Sequence, residues 1–295
     1  MSEIWFLFAF LAALSWATSD LVNKLSMSKG ENEYNALLSR LLWAIPVIFI
    51  FYLEESGFKM PDYRALIYII LVIIGDISAS LLYMKALKIG ELSVVAPLTS
   101  FAPIFMVLTS VVVLGEPPSK TSLLGIVLVS LGSYILGIKN LQKGLLRPLT
   151  EVLLSKPGIY TICAAFIFSL DTSVAKISLR YTDIYSFSFW YTLLFAAIFI
   201  ILSKILDRPI SPKKIALRKE AIIIGILFGL GTISFMKAIE ATNISYVSAI
   251  GKVNMIISVI YGRVFFRERN FKNKLIGTII ILAGVILVIT GSSKS

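Results

Sequence analysis

Ten apolar runs, each near the roughly 20 residues that carry a helix across a bilayer, divide this 295-residue chain almost end to end. They fall at about 4–25, 35–53, 63–86, 93–114 and 122–138, then 158–179, 184–206, 221–239, 244–266 and 274–290. The one long polar connection, Lys139–Pro157, leaves five runs on either side, and no stretch is large enough for a separate soluble domain. The expected fold is an all-α integral membrane protein of ten transmembrane helices. Two inverted five-helix repeats, 1–138 and 158–295, flank a polar linker at 139–157. Met1-Ser2-Glu3 is acidic and no small-x-small site follows, so the first run is expected to remain as a span.

The side chains inside and between the runs narrow the chemistry. Charged residues make up 15% of the chain, against about 25% in an ordinary soluble domain. There is no histidine, so His-based acid–base catalysis and His metal sites are excluded. A single cysteine, Cys163, excludes disulfides and cysteine metal clusters. No cofactor is expected. The net charge of +11 is not a nucleic-acid signature, because of where it sits. Residues 1–152 hold 11 Lys/Arg and 11 Asp/Glu, while residues 153–295 hold 17 against 6. The excess lies in short loops, as expected beside anionic lipid headgroups. Lys204, Arg208, Lys213, Lys214, Arg218 and Lys219 connect runs seven and eight. Arg263, Arg267, Arg269, Lys272 and Lys274 flank the connection between nine and ten. The positive-inside rule makes that face cytoplasmic and puts both termini outside.

A shift of 152 residues superposes the halves. Met84-Lys85-Ala86 falls on Met236-Lys237-Ala238, Ser93 on Ser245, Val95 on Val247, Glu116 on Glu268 and Lys120 on Lys272. Gly125 falls on Gly277, Gly132 on Gly284, Lys24 on Lys176 and Ser26 on Ser178. Matches among leucines would be cheap in such a composition; matches at Lys, Glu, Met and Gly in one ungapped register are not. An odd number of helices per repeat reverses the second copy in the membrane. That arrangement places a binding site near the midplane and gives alternating access by rocking one repeat against the other.

The same residues resemble a known family. Leu14-Ser15-Trp16-Ala17 is similar to an L-x-W-G opening of the first helix, with Ala for Gly, and Ser39-Arg40-Leu41 to the Arg motif of the second. Tyr83-Met84-Lys85-Ala86-Leu87 resembles the Y-x-A-L that ends the third. Val95-Ala96-Pro97-Leu98, Ser100, Pro103 and Leu114-Gly115-Glu116 resemble the fourth helix and its exit, and Gly125 and Gly132 the fifth. On these the chain is identified as a member of the drug/metabolite transporter superfamily, EamA branch. The resemblance implies a transporter, and relatives carry amino acids, sugars, nucleotide-sugars or drugs. Relatives are usually drawn with both termini inside, against the charge reading. Ala249 and Met255 replace the repeat equivalents of Pro97 and Pro103, so a less kinked ninth helix is expected.

An ionisable side chain in a span costs roughly 2.5–3.5 kcal/mol on insertion scales, so each one needs a reason. Lys252, in Ser248-Ala-Ile-Gly-Lys-Val-Asn254, is too deep to snorkel. Two roles fit it: a cation for a carboxylate or phosphate substrate, with Ser248 and Asn254 adding hydrogen bonds, or the buried partner of an Asp. Pro97 and Pro103 free carbonyls in the fourth helix around Thr99 and Ser100, and Ser100 is the repeat-mate of Lys252. Those two helices are the expected cavity walls, with Trp16 and Tyr83 as aromatic contacts. Asp20 and Asp171 stand four and five residues before Lys24 and Lys176. They read as helix-end ion pairs or as proton-coupling acids. Arg40 reads as an interior ion-pair hub, with Asp76 as its partner or as a site acid. The glycines at 125, 132, 225, 229, 231, 277 and 284 read as close helix packing.

The expected function is a secondary active transporter, coupled to protons or to exchange, for a small polar metabolite such as an amino acid or other anion. The competing classes are a channel and an intramembrane enzyme. No filter-like Thr-Val-Gly-Tyr-Gly and no Tyr-Asp with Gly-x-Gly-Asp occurs. The expected partners are a small-molecule substrate and the lipid bilayer, without nucleic acid, in a monomer or weak homodimer of the cell membrane.

Overall fold

The computed structural model describes residues 4–27, 33–89, 98–137, 155–207, 210, 212, 215, 217–266 and 271–292. The helices are α1 (Trp5–Met27), α2 (Glu33–Ser56), α3 (Tyr63–Ile89), α4 (Ala102–Thr109), α5 (Lys120–Gly137) and α6 (Lys156–Ser178). They continue with α7 (Ile184–Ile205), α8 (Lys219–Ala241), α9 (Ile244–Gly251), α10 (Val253–Phe266) and α11 (Phe271–Ser292). A 3₁₀ turn, Thr99–Phe101, precedes α4, and a π-helical turn, Ser110–Leu114, follows it; together they form the fourth span. α9 and α10 form the ninth, and α11 is the tenth. Among the described residues there is no strand. Eight helical runs there are long and apolar enough to cross a membrane, and Thr99–Leu114 and Lys120–Leu136 are shorter apolar helices. The expected all-α membrane architecture is what the chain adopts.

The burial pattern is that of a protein solvated by lipid. Val112 and Ile286 are 73% and 60% exposed, whereas Ser173, Ser188 and Ser245 are wholly buried. Between helices in a bilayer there is little hydrophobic drive, so small and hydroxylic residues fill the seams. Some buried hydroxyls bond within their own helix, as Ser188 does to the Ile184 carbonyl at 2.7 Å and Thr192 to that of Ser188 at 2.7 Å, and others bond across a seam, as Ser19 does to the Ile224 carbonyl at 3.1 Å.

The helices interlock across the repeat. α1 packs on α8 and α6 on α3; α2 packs on α7, α4 on α9 and α5 on α11. The α5–α11 seam carries the symmetry most plainly. A Cβ on Gly125 would lie 2.6 Å from the Gly284 carbonyl, and one on Gly132 would lie 2.8 Å from that of Gly277. Gly125 and Gly277 are repeat-mates, as are Gly132 and Gly284, so the two contacts exchange under the repeat operation. Rising numbers on one helix meet falling numbers on the other. The pair is antiparallel, and its two-fold lies across the helix axes, as an inverted repeat requires. Gly225 meets Trp43 and Gly229 meets Ala44 in the same close manner, as the sequence leads one to expect.

The ninth span is interrupted once although it carries no proline at the equivalents of 97 and 103: it stops at Gly251 and restarts at Val253. Lys252 donates its backbone N–H to the Ala249 carbonyl at 3.1 Å, and Met255 donates to the Lys252 carbonyl at 3.0 Å. Both are tight, three-residue bonds. Position 97 and the linker from 139 to 154 lie outside the described residues.

Candidate functional site

The two broken spans meet at their breaks. Pro103 has no N–H, so the Thr99 carbonyl loses its helical donor four residues on. The Ala102 N–H takes one side of that carbonyl in the 3₁₀ turn. Lys252 Nζ takes another, at 2.9 Å. The lysine thus reaches the residue next to its repeat-mate Ser100, which is buried. A Cβ placed on Gly251 would meet no atom within 4 Å beyond its chain neighbours. Asn254, two residues on, has a buried Oδ1 without a hydrogen-bond partner among the described residues. Ser248, four residues earlier in the same span, is half-buried. Of the two roles open to Lys252, the buried pair with an Asp is not what forms: among the described residues its hydrogen-bond partner is a neutral carbonyl.

The acids are sorted differently from the sequence expectation. Arg40 pairs with Asp20, not Asp76, at 2.5 Å between α2 and α1. Tyr83 lies within electrostatic reach of Asp20, and the Arg40 guanidinium stands 5.9 Å over the Phe228 ring. Trp16 belongs to the same wall. Its ring packs on Phe235 at 5.2 Å and against Gly231, and its buried Nε1 has no partner. Asp76 instead accepts from the Tyr191 hydroxyl of α7. Asp171 does not pair with Lys176. It is 8% exposed, with its carboxyl against the bare Gly75 backbone and electrostatically coupled to Asp76 next along α3. Its Oδ2 has no hydrogen-bond partner. Side-chain volume explains the placement, because a Cβ at position 75 would overlap that carboxyl. Lys24, the partner expected for Asp20, has a side chain outside the described set.

The structure thus makes three groups: Lys252 with the Thr99–Ser100 turn, Asp20 with Arg40, Tyr83 and Trp16, and Asp76 with Asp171 and Tyr191. Tyr191 and Gly75 were not legible as site residues. A tyrosine beside Trp190 reads as belt or packing, and no spacing links it to Asp76. Among the described residues no cluster of three metal-ligating side chains occurs.

A fourth group joins the end of α6 to the exit of the fourth span and the end of α8. Lys176 Nζ donates to Glu116 Oε2 at 2.7 Å and to the Thr242 carbonyl at 2.6 Å. Asn243 Nδ2 donates to the Glu116 carbonyl at 2.6 Å, and its Oδ1 caps α9 through the Ser245 N–H. Gly115 turns the chain into this contact with φ +70°, where glycine carries no Cβ penalty. A cleft of about 150 Å³ opens here, lined by Leu114, Glu116, Lys176, Leu179, Arg180 and Glu240.

The model of the EamA-like transporter family matches residues 3–138 and again 156–290. An uncharacterized transporter of Archaeoglobus fulgidus is 24% identical over 288 residues, covering 96% of this chain and 97% of that one. An uncharacterized protein of Methanocaldococcus jannaschii is 33% identical over 91 residues, which is 31% of this chain and 66% of that one. A protein of known crystal structure superposes with a TM-score of 0.75 at 17% identity, covering 98% of this chain and 99% of that one; at this identity it speaks for the fold alone. Two family matches that together span nearly the whole sequence, on a ten-span bundle with lipid-facing leucines, make this a multi-pass membrane transporter: the chain belongs to the EamA-like transporter family.

Proposed function

We propose that the chain is a secondary active transporter of a small metabolite bearing an anionic group, working by alternating access, with Lys252 as the substrate's counter-charge. The observation that carries this is the Lys252–Thr99 contact at the paired breaks of the fourth and ninth spans. An ammonium held by a neutral carbonyl keeps its charge uncompensated. A carboxylate or phosphate entering beside Gly251 gains a charge-assisted hydrogen bond that the carbonyl does not supply. The 3₁₀ turn keeps its own Ala102–Thr99 bond when Lys252 leaves, so the lysine can change partners without unravelling the span. The Asp76–Asp171 site is the coupling half of the reading. Two carboxyls in one buried place, one with an unpartnered oxygen, suit a group that gains and loses a proton during the cycle.

Reconstitution tests both halves. Saturable counterflow of labelled carboxylates or phosphates, and uptake driven by an imposed pH gradient, are expected in proteoliposomes. Linear, non-saturating flux would make the protein a channel instead. A cytoplasmic C-terminal reporter active at Ser295 would reverse the charge-based orientation and leave the transport reading untouched.

A further inference from the structure

We infer that Lys176 is the latch that shuts one face of the transport path, and that its release from Glu116 and Thr242 opens that face. This rests on the alternating-access reading. The latch is built from three separate elements. Lys176 is the last-turn cation of α6, Glu116 leaves the fourth span through Gly115, and Thr242 joins α8 to α9. One ammonium thus joins pieces of both repeats at their ends. Its side chain is 14% exposed and that of Glu116 is 38% exposed, so the pair lies at the edge of the bundle and not in its core.

The neighbouring bonds brace the acceptors rather than the lysine. Asn243 holds the Glu116 backbone while capping α9. The Ser119 N–H donates to the Tyr246 hydroxyl at 2.9 Å, and Ser119 Oγ donates to the Gly291 carbonyl at 2.9 Å. The loop after the fourth span is therefore fixed to α9 and α11, and α6 is joined to that rigid edge through the lysine. Rocking α6 away from α9 must break these two Lys176 bonds, and the cleft beside Leu179 is the space it would widen. The sequence adds a second, independent sign. Lys and Glu stand at the equivalent positions of both repeats, 24 with 176 and 116 with 268, although most other charges do not repeat.

Thiol accessibility tests this without any substrate. In a Cys163→Ser background, Leu179→Cys reports on the cleft, and Val129→Cys, packed on Gly284 in the α5–α11 seam, reports on global unfolding. Both are exposed to a membrane-impermeant maleimide in lipid nanodiscs. Lys176→Met, which keeps length and loses every donor, is expected to raise the Leu179→Cys labelling rate about tenfold, the scale of one charge-assisted bond. Lys176→Arg, which keeps charge and donors, is expected to hold the parent rate. Glu116→Gln is expected to fall between them, and Val129→Cys to stay unlabelled throughout. An unchanged rate in Lys176→Met overturns the latch. So does an equal rise in Lys176→Arg, or labelling of Val129→Cys, which would mean that Lys176 holds the fold rather than the gate. If the labelling follows expectation but no solute shows counterflow, the latch stands and the proposed transport reaction falls. If counterflow is present but labelling is flat, the reverse holds.

Discussion

The two copies of the repeat solve the same problems with different atoms. In the first, the acid Asp20 has its own cation, Arg40, at 2.5 Å. In the second, Asp171 has no cation beside it among the described residues and shares its site with Asp76. The fourth span breaks where Pro103 removes a donor. The ninth breaks at the equivalent place with no proline, at a lysine whose ammonium has crossed to the fourth span. A repeat can thus keep a shape while exchanging its cause. The copy without those prolines and without a paired acid is the one whose Asp171 and Lys252, among the described residues, lack an opposite charge.

That contrast can be broken by mutation. The largest effect is expected from the acids. Asp76→Asn combined with Asp171→Asn should abolish uptake driven by a pH gradient while leaving counterflow. Asp20→Asn should leave gradient-driven uptake in place and lower the melting temperature, because it strands Arg40. A carrier that loses its gradient response through Asp20 and keeps it without Asp171 would invert the comparison. Next is Lys252→Met, which keeps length and removes charge. Binding of the anionic substrate, followed by thermal shift or calorimetry, should weaken roughly 10- to 150-fold, with the fold intact.

Two glycine substitutions sharpen the contrast at smaller scale. Gly75→Ala drives a methyl into the Asp171 carboxyl and should cost about 1–3 kcal/mol. Gly251→Ala meets open space and should shift stability by less than about 1 kcal/mol. Melting of the detergent-solubilised variants measures both.

The smallest effect concerns a carboxylate outside the spans. Burial pushes the Asp183 carboxyl up, but bonds from the Ser56 hydroxyl, the Ser186 N–H and hydroxyl and the Tyr185 N–H outweigh it. They hold the group below the ordinary carboxylate value. A lowered folded value stabilises the protein above the unfolded value, near pH 4, and that stability is lost as pH falls through the folded value. The melting temperature of the parent should therefore decline below about pH 4 more steeply than that of Asp183→Asn.

What was legible before the fold was known followed from local rules. Apolar runs long enough to span, an odd number per repeat and glycines in register are properties of the string. They were enough for the bundle, its inversion and close packing at those glycines; that the fifth and tenth helices pack on each other came from the fold. The meeting of Lys252 with Thr99 was also within reach, because the repeat maps Lys252 onto Ser100 and Pro103 marks the carbonyl that goes free. The partners of the acids were not. An i,i+4 spacing offers Lys24 to Asp20 and an i,i+5 spacing offers Lys176 to Asp171. In the fold, Arg40 takes the first acid from a neighbouring helix, and Lys176 reaches instead for Glu116, 60 residues earlier in the chain.

The sequence by itself determined that this chain crosses a membrane ten times in two opposed copies, because a bilayer satisfies no backbone group and only whole helices can cross it. The tertiary structure alone decided which charges are neutralised and which stay bare. A side chain of several rotatable bonds chooses its partner among all the helices it can reach, and helix packing, not spacing along the chain, sets that list. Tyr191 came to Asp76, and Asp171 to the gap left by Gly75, for that reason. At Lys252 the helix is interrupted with all its backbone donors present, and the lysine finds its acceptor on another span.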